Sequence, residues 1–165
     1  EASLDGLSLT EKAQHHDQNV IVDHGNDACE SHQLFKYILS DKASGVFNGK
    51  VVVREHTKQT NADQSNKNLL LSPKALMNAN PQLEIYADDV VAAHGATAGH
   101  VDSDTLFYLQ SRGIDEEAAK AILIRGFAEE MIDEFEPESL NAFVEQVASE
   151  RIPVLLAESD TIGTT

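Results

Sequence analysis

The sequence predicts a mainly β protein with an α-helical carboxyl-terminal region, its short strands suited to a solenoid. Three observations carry this. As far as about residue 100 the apolar residues come in short β-like runs separated by Gly, Asn, Asp and Ser. The runs are irregularly spaced, lack the sustained alternation of a sandwich strand and mostly end in a polar corner. That pattern suits coils that each give one strand to each face and stack on the next. From Ser103 onward the apolar period becomes that of helices. One dipeptide competes, since local rules read Asn48-Gly49 as a tight hairpin turn. Periodicity alone leaves the stacked and the hairpin-built arrangements both open.

Taken in order, the β-like runs are VIVDH (20–24), FKYIL (35–39), VFNGKVVV (46–53), NLLLS (68–72) and LEIYA (83–87). The first helix follows in DSDTLFYLQSRG, which has an acidic start and a glycine stop at Gly113. Asp115 can cap the second, in which Ala121, Ile124, Ala128, Met131, Ile132 and Phe135 recur at three and four residue spacing. Pro137 is expected to open the third, with Leu140, Phe143, Val144, Val147 and Ala148 on one stripe. The expected organisation is a β unit over 1–101, a helical domain over 102–152 and a loose tail over 153–165.

Charge follows the same boundary. The chain of 165 residues holds 28 acidic and 12 basic side chains, a formal charge of −16. Nucleic acid and anionic membrane surfaces are therefore poor partners, because binding would oppose the mean field of the molecule. Residues 102–160 alone carry 15 acids and 4 bases. Two readings fit that excess: solvated helix faces, or a docking surface for a basic partner. The single Cys29 rules out an internal disulfide and a four-cysteine metal site, and fits a reducing, cytoplasmic setting. No apolar run approaches the roughly 18 to 20 residues of a membrane span. The amino end has neither the basic nor the apolar segment of a secretory leader. It does not start with Met, so the chain is expected to be a piece of a longer one whose first strand lacks a neighbour, and to associate with itself when alone.

Four blocks then decide more than periodicity does. VFNGKVVV, QTNADQSNKNLLLS, PQLEIYADDVVAAHGATAG and LFYLQSRGIDEEAAKAIL, in that order and at these separations, resemble the carboxyl-terminal half of the SufD family of the SufBCD iron–sulfur cluster assembly system. The resemblance runs from roughly Gly6 to Phe135. SufB relatives share the last block but differ around QTNADQSNKNLLLS. The resemblance implies a right-handed parallel β-helix closed by a helical domain, pairing with SufB through the β-helix and with the ATPase SufC through the helices. It implies a scaffold, not an enzyme, with a transient Fe–S cluster on the assembled complex and no cofactor on this chain alone. Asn48-Gly49 is then expected at a coil corner.

The resemblance singles out His94, in VVAAHGATAG just after the last clear strand, as a residue of the nascent cluster site at the SufB interface. A neutral imidazole suits iron, and its second nitrogen can be oriented by a neighbouring group. Gly95 would allow close approach of a partner chain. Apart from the resemblance, a histidine bonded at the end of the solenoid is the ordinary reading. Many relatives carry Cys two residues earlier, on the same strand face; here that residue is Ala92, so thiolates would come from the partner. His24, Cys29 and His32 invite a metal reading, but H-x4-C-x2-H is no standard finger, and a partly buried free thiol is the expectation. His15 and His16 are adjacent and point apart on a strand. Asp88 and Asp89 could serve a β-helix enzyme acting on a polysaccharide, yet neighbours on a strand diverge and a turn explains them better. No P-loop, G-x-G-x-x-G or G-x-S-x-G occurs.

Overall fold

Seven strands precede three helices in the computed structural model, which describes residues 1–133, 135 and 138–157. The strands are β1 (Ala2–Thr10), β2 (His15–His24), β3 (Glu30–Leu39), β4 (Ser44–Val53), β5 (Lys58–Leu70), β6 (Leu76–Ile85) and β7 (Asp89–His100). Every pairing is parallel. The odd strands form one sheet in the order β1-β3-β5-β7 and the even strands another in the order β2-β4-β6. The chain thus alternates between two facing sheets and climbs one strand at each return, a β-solenoid. Side chains one coil apart lie 29 to 32 positions apart, as in His15 with Ser44, Gln33 with Gln64 and Asn48 with Asn80. Corners repeat too: Lys12 and Asp41 occupy equivalent corners with φ of 58° and 51°, and the Lys12 N–H donates to Asp41 Oδ2 at 3.0 Å.

Parallel stacking explains two departures from the sequence expectation. NLLLS is only the end of a strand that begins at Lys58. Its polar part is β because the inward residues Thr60, Gln64, Asn66 and Asn68 are buried and their amides bond along the stack. Gln64 Nε2 donates to Gln33 Oε1 at 3.1 Å, Asn66 Nδ2 to the Phe35 carbonyl at 3.2 Å and Asn68 Nδ2 to the Thr97 carbonyl at 2.8 Å. Asn48-Gly49 is neither a hairpin nor a corner; it lies in the middle of β4. Asn48 faces outward in a ladder, donating to Asn19 Oδ1 at 3.0 Å and accepting from Asn80 Nδ2 at 3.4 Å. Gly49 faces inward where a Cβ would lie 2.5 Å from Gln64 Nε2 and 2.7 Å from Phe47 Cζ, so close approach selects the glycine.

The apolar part of the solenoid interior is Phe35, Tyr37, Leu39, Ala43, Phe47 and Ala75, continued by Val51, Val53 and Ala62. Phe35 and Phe47 bridge the two sheets with ring centroids 4.9 Å apart. A second cluster lies outside the solenoid, where the helices cover one half of the outer face of the odd-strand sheet.

The helices are α1 (Ser103–Ser111), α2 (Glu116–Ile132) and α3 (Glu138–Ala157). Asp102 and Asp115 cap the first two by accepting from Thr105 N and Ala118 N, both at 2.9 Å, and Gly113 takes φ of 87° beyond α1. The expected stripe on α2 is buried at Ile124, Ala128, Met131 and Ile132. On α3, Val144 and Ala148 turn to the core, whereas Leu140, Phe143 and Val147 are exposed. The buried stripe instead continues through Ile152, Leu155 and Leu156. This corrects the tail expected from residue 153: α3 runs past Pro153 to Ala157, because burial of those leucines outweighs the hydrogen bond the proline removes. Residues 158–165, and the Pro137 expected to open α3, lie outside the described residues.

Leu7, Leu9, Ile38 and Leu69, all on the outer face, meet these helices. Beside them Lys36 is fully buried. Its ammonium donates to the Phe127 carbonyl at 2.6 Å and to Glu130 Oε2 at 2.5 Å, and sits 4.7 Å from the Phe127 ring centre. Lys67 reaches the other oxygen of Glu130 at 2.5 Å. The two lysines hold Glu130 down to a pKa of about 2, while burial pushes Lys36 downward. One carboxylate on α2 thereby ties the helices to β3 and β5.

Candidate functional site at the open end of the solenoid

His94 lies inside β7, six residues before its end, rather than after the last strand. The misplacement has a clear cause. DVVAAHGATAGH is rich in Ala and Gly, which carry little strand signal, and it is held extended by its pairing with β5. Register fixes its direction: Thr60, Ala62, Gln64, Asn66 and Asn68 face inward, so their partners Val90, Ala92, His94, Ala96 and Ala98 do as well. Val90 and Ala92 pack on Val51, Val53 and Ala62. His94 continues that row but is exposed, because β7 is the last strand of its sheet and no coil stacks above it. It makes no hydrogen bond among the described residues. The alternative of a histidine satisfying buried backbone groups therefore finds no contact to support it; the nearby His100 does meet a backbone group, with Nδ1 2.8 Å from the Leu70 carbonyl, but that contact is exposed.

Around His94 the surface is unobstructed. A Cβ on Gly95 or Gly99 would meet nothing within 4 Å. One edge of β7 is unpaired, and Ile85, Tyr86 and Val91, on the last strands and the corner between them, are exposed by 42%, 59% and 73%. Ala92 sits two residues before His94 on the same face, stacked on Ala62.

The other sequence candidates do not converge. His24 is buried and bonded to Ser31 Oγ at 2.8 Å, and desolvation lowers its pKa. His32 is exposed and groups with Glu1 and Glu30, their ligand atoms within 4.8 Å of one another. Cys29 joins neither; it is a half-buried free thiol at a corner. The Glu1, Glu30 and His32 grouping was hidden in the sequence because Glu1 meets Glu30 only through the stacking of β1 on β3. His15 and His16 bond separate serines, Ser44 and Ser8. Asp89 accepts from the Gln59 N–H at 3.2 Å, a corner role. The groove lined by Asp5, His32 and Asp63 has no Phe, Tyr or Trp in its lining, and the one that Asp88 and Asp89 line with Glu55 offers a single such side chain, Tyr86, a narrow platform for stacking on sugar rings.

Residues 1–127 match the sequence profile of the SUF system FeS cluster assembly SufBD core domain. The chain belongs to the SufBD family. It is 39% identical over 150 residues to the iron–sulfur cluster assembly protein SufD of Escherichia coli, covering 91% of this chain and 36% of that protein. SufD of Bacillus subtilis is 36% identical over 129 residues, covering 78% of this chain and 30% of its own length. Protein ABCI7, chloroplastic, of Arabidopsis thaliana is 44% identical over 117 residues, or 70% of this chain and 24% of that one. The chain thus spans about a third of the length of the SufD relatives, and is SufD-like in the part it shares. No helix among the described residues is long and apolar enough to cross a membrane.

Proposed function

We propose that this chain is the scaffold part of an iron–sulfur cluster assembly complex, pairing with SufB through the β6–β7 end of the solenoid and with the ATPase SufC through its helices. The cluster is cargo, held transiently in the complex, and His94 supplies one nitrogen to it. The observation that carries this reading is a histidine directed along the solenoid interior yet exposed at its open end. A partner solenoid seated on the unpaired edge of β7 would bury His94 and the apolar residues Ile85, Tyr86 and Val91 together. Thiolates come from that partner, since Ala92 offers none. We place the complex in the cytoplasm, where an unpaired Cys29 persists.

The helical side is supported by α1, a helix with no buried residue, whose Phe107 and Tyr108 are exposed by 71% and 53%. Exposed aromatics on a helical segment of acidic net charge, with Arg112 4.4 Å from the centre of the Tyr108 ring, suit a partner with an apolar spot and a mainly basic rim. Removing the whole helical segment is a poor test, because it would uncover Ile38, Leu69 and the buried Lys36. Phe107→Ala with Tyr108→Ala should instead abolish capture of SufC while leaving the fold intact; retained capture refutes this docking face.

For His94 the test is reconstitution with SufB and SufC, iron and sulfide without oxygen. His94→Ala should remove cluster absorbance with assembly and melting temperature nearly unchanged. A normal cluster yield would end the assignment.

A further inference from the structure

One inward column of the solenoid runs Leu4, Gln33, Gln64, His94, each stacked on the next through strand register. Gln33 and Gln64 are each 1% exposed. Because Gln64 Nε2 donates to Gln33 Oε1 at 3.1 Å, the amide pair leaves two buried atoms without a partner, the donor Gln33 Nε2 at its inner end and, toward β7, the acceptor Gln64 Oε1. Such an acceptor is unfavourable and calls for an explanation. The next residue in the column is His94, which has no hydrogen bond and, when neutral, one ring N–H to give.

Three further buried oxygens lack partners among the described residues: Glu11 Oε2, which has no register neighbour on β7, and Thr60 Oγ1 and Asn68 Oδ1, which lie under Val90 and Ala98 in the register, neither of whose side chains has a donor. His100, also inward, is already bonded to Leu70. Gln64 is therefore the one orphaned acceptor whose register neighbour on β7 carries a free donor, among the described residues.

We infer that Gln64 is a positioning residue for His94: its Oε1 accepts the ring N–H and so fixes the tautomer and plane of the imidazole. The step from Gln33 to Gln64 already brings two amides on adjacent strands into hydrogen-bond contact, and the step from Gln64 to His94 repeats it across the same spacing of about 4.8 Å. With one nitrogen held inside, the other presents its lone pair at the open end of the solenoid, as metal-binding imidazoles do when a neighbouring acceptor orients them. This rests on the proposed role of His94.

The test is ¹⁵N NMR of the His94 ring in the whole chain, at a pH where the ring is neutral, with His94→Ala identifying its signals. Wild type should show a single tautomer. Gln64→Leu should show both, and should lower cluster yield several-fold in the reconstituted complex with assembly unchanged. Gln64→Glu, which keeps an acceptor oxygen, should restore the single tautomer. A mixture of tautomers in wild type, or no change in Gln64→Leu, overturns the positioning role. The wild-type spectrum decides even if Gln64→Leu does not fold. Normal cluster yield from His94→Ala would overturn the underlying ligand reading instead, and the spectra keep the two failures apart.

Discussion

The middle coil of the solenoid and its last coil use the same columns and the same inward direction, yet they differ in what those columns are for. In the middle of the stack, Phe35 and Tyr37 on β3, Phe47 on β4 and Gln64 on β5 are closed in by strands on both sides and are almost wholly buried. In the last coil the corresponding positions are His94, Ala96 and Ala98, stacked on β5 alone and exposed. The helices brace only the first of these regions, through Ile38, Leu69 and the Lys36–Glu130–Lys67 contact. The difference teaches that exposure here is a property of position in the stack rather than of residue type. An inward histidine becomes available because the stack stops beside it.

Breaking the braced region should have the largest effect. Glu130→Gln leaves the Lys36 ammonium buried without its counter-charge, and should cost about 3 kcal/mol in urea unfolding; a loss below about 1 kcal/mol would show that the helices are held by apolar contact alone. Gly49→Ala comes next. Its new methyl would collide with Gln64 and Phe47, so a loss of about 1 to 3 kcal/mol is expected.

Acid unfolding sharpens the same contrast. Glu130 has a folded pKa of about 2, below the ordinary 4.5, so its contribution is present above the unfolded value and is lost as pH falls toward the folded one. Wild type should therefore lose stability between about pH 4.5 and pH 2 by more than Glu130→Gln does. Equal slopes for the two proteins would contradict the pairing.

The smallest effect is expected in the last coil. Gly95→Ala meets open space and should change stability by less than about 0.5 kcal/mol, in contrast to Gly49→Ala. If the two glycine substitutions proved equally costly, the open end would not be open in solution.

Much of the molecule was legible before folding was considered. The switch from short β-like runs to helical periodicity near Ser103, the acidic start of the first helix, the cap at Asp115, the glycine stop at Gly113 and the α2 stripe are local signals, because each depends on residues within one or two turns of chain. The four-block resemblance carried the family, the solenoid and attention to His94. Three features were not legible, all for one reason: a partner about thirty residues away decides them. Asn48-Gly49 reads as a turn until the Asn19–Asn48–Asn80 ladder and the Gln64 amide give each residue a reason to lie in a strand. QTNADQSNKN has no apolar run to mark it as a strand until stacking provides its amides with carbonyls and other amides to bond. Residues beyond Pro153 read as a tail until Leu155 and Leu156 find the outer face of the solenoid. The sequence by itself determined the fold class, the acidic helices and the presence of a histidine that a metal could use. Only the tertiary structure decided that this histidine lies in a strand, next to an orphaned glutamine oxygen and at the end of the stack, because stacking brings together side chains that no local period connects.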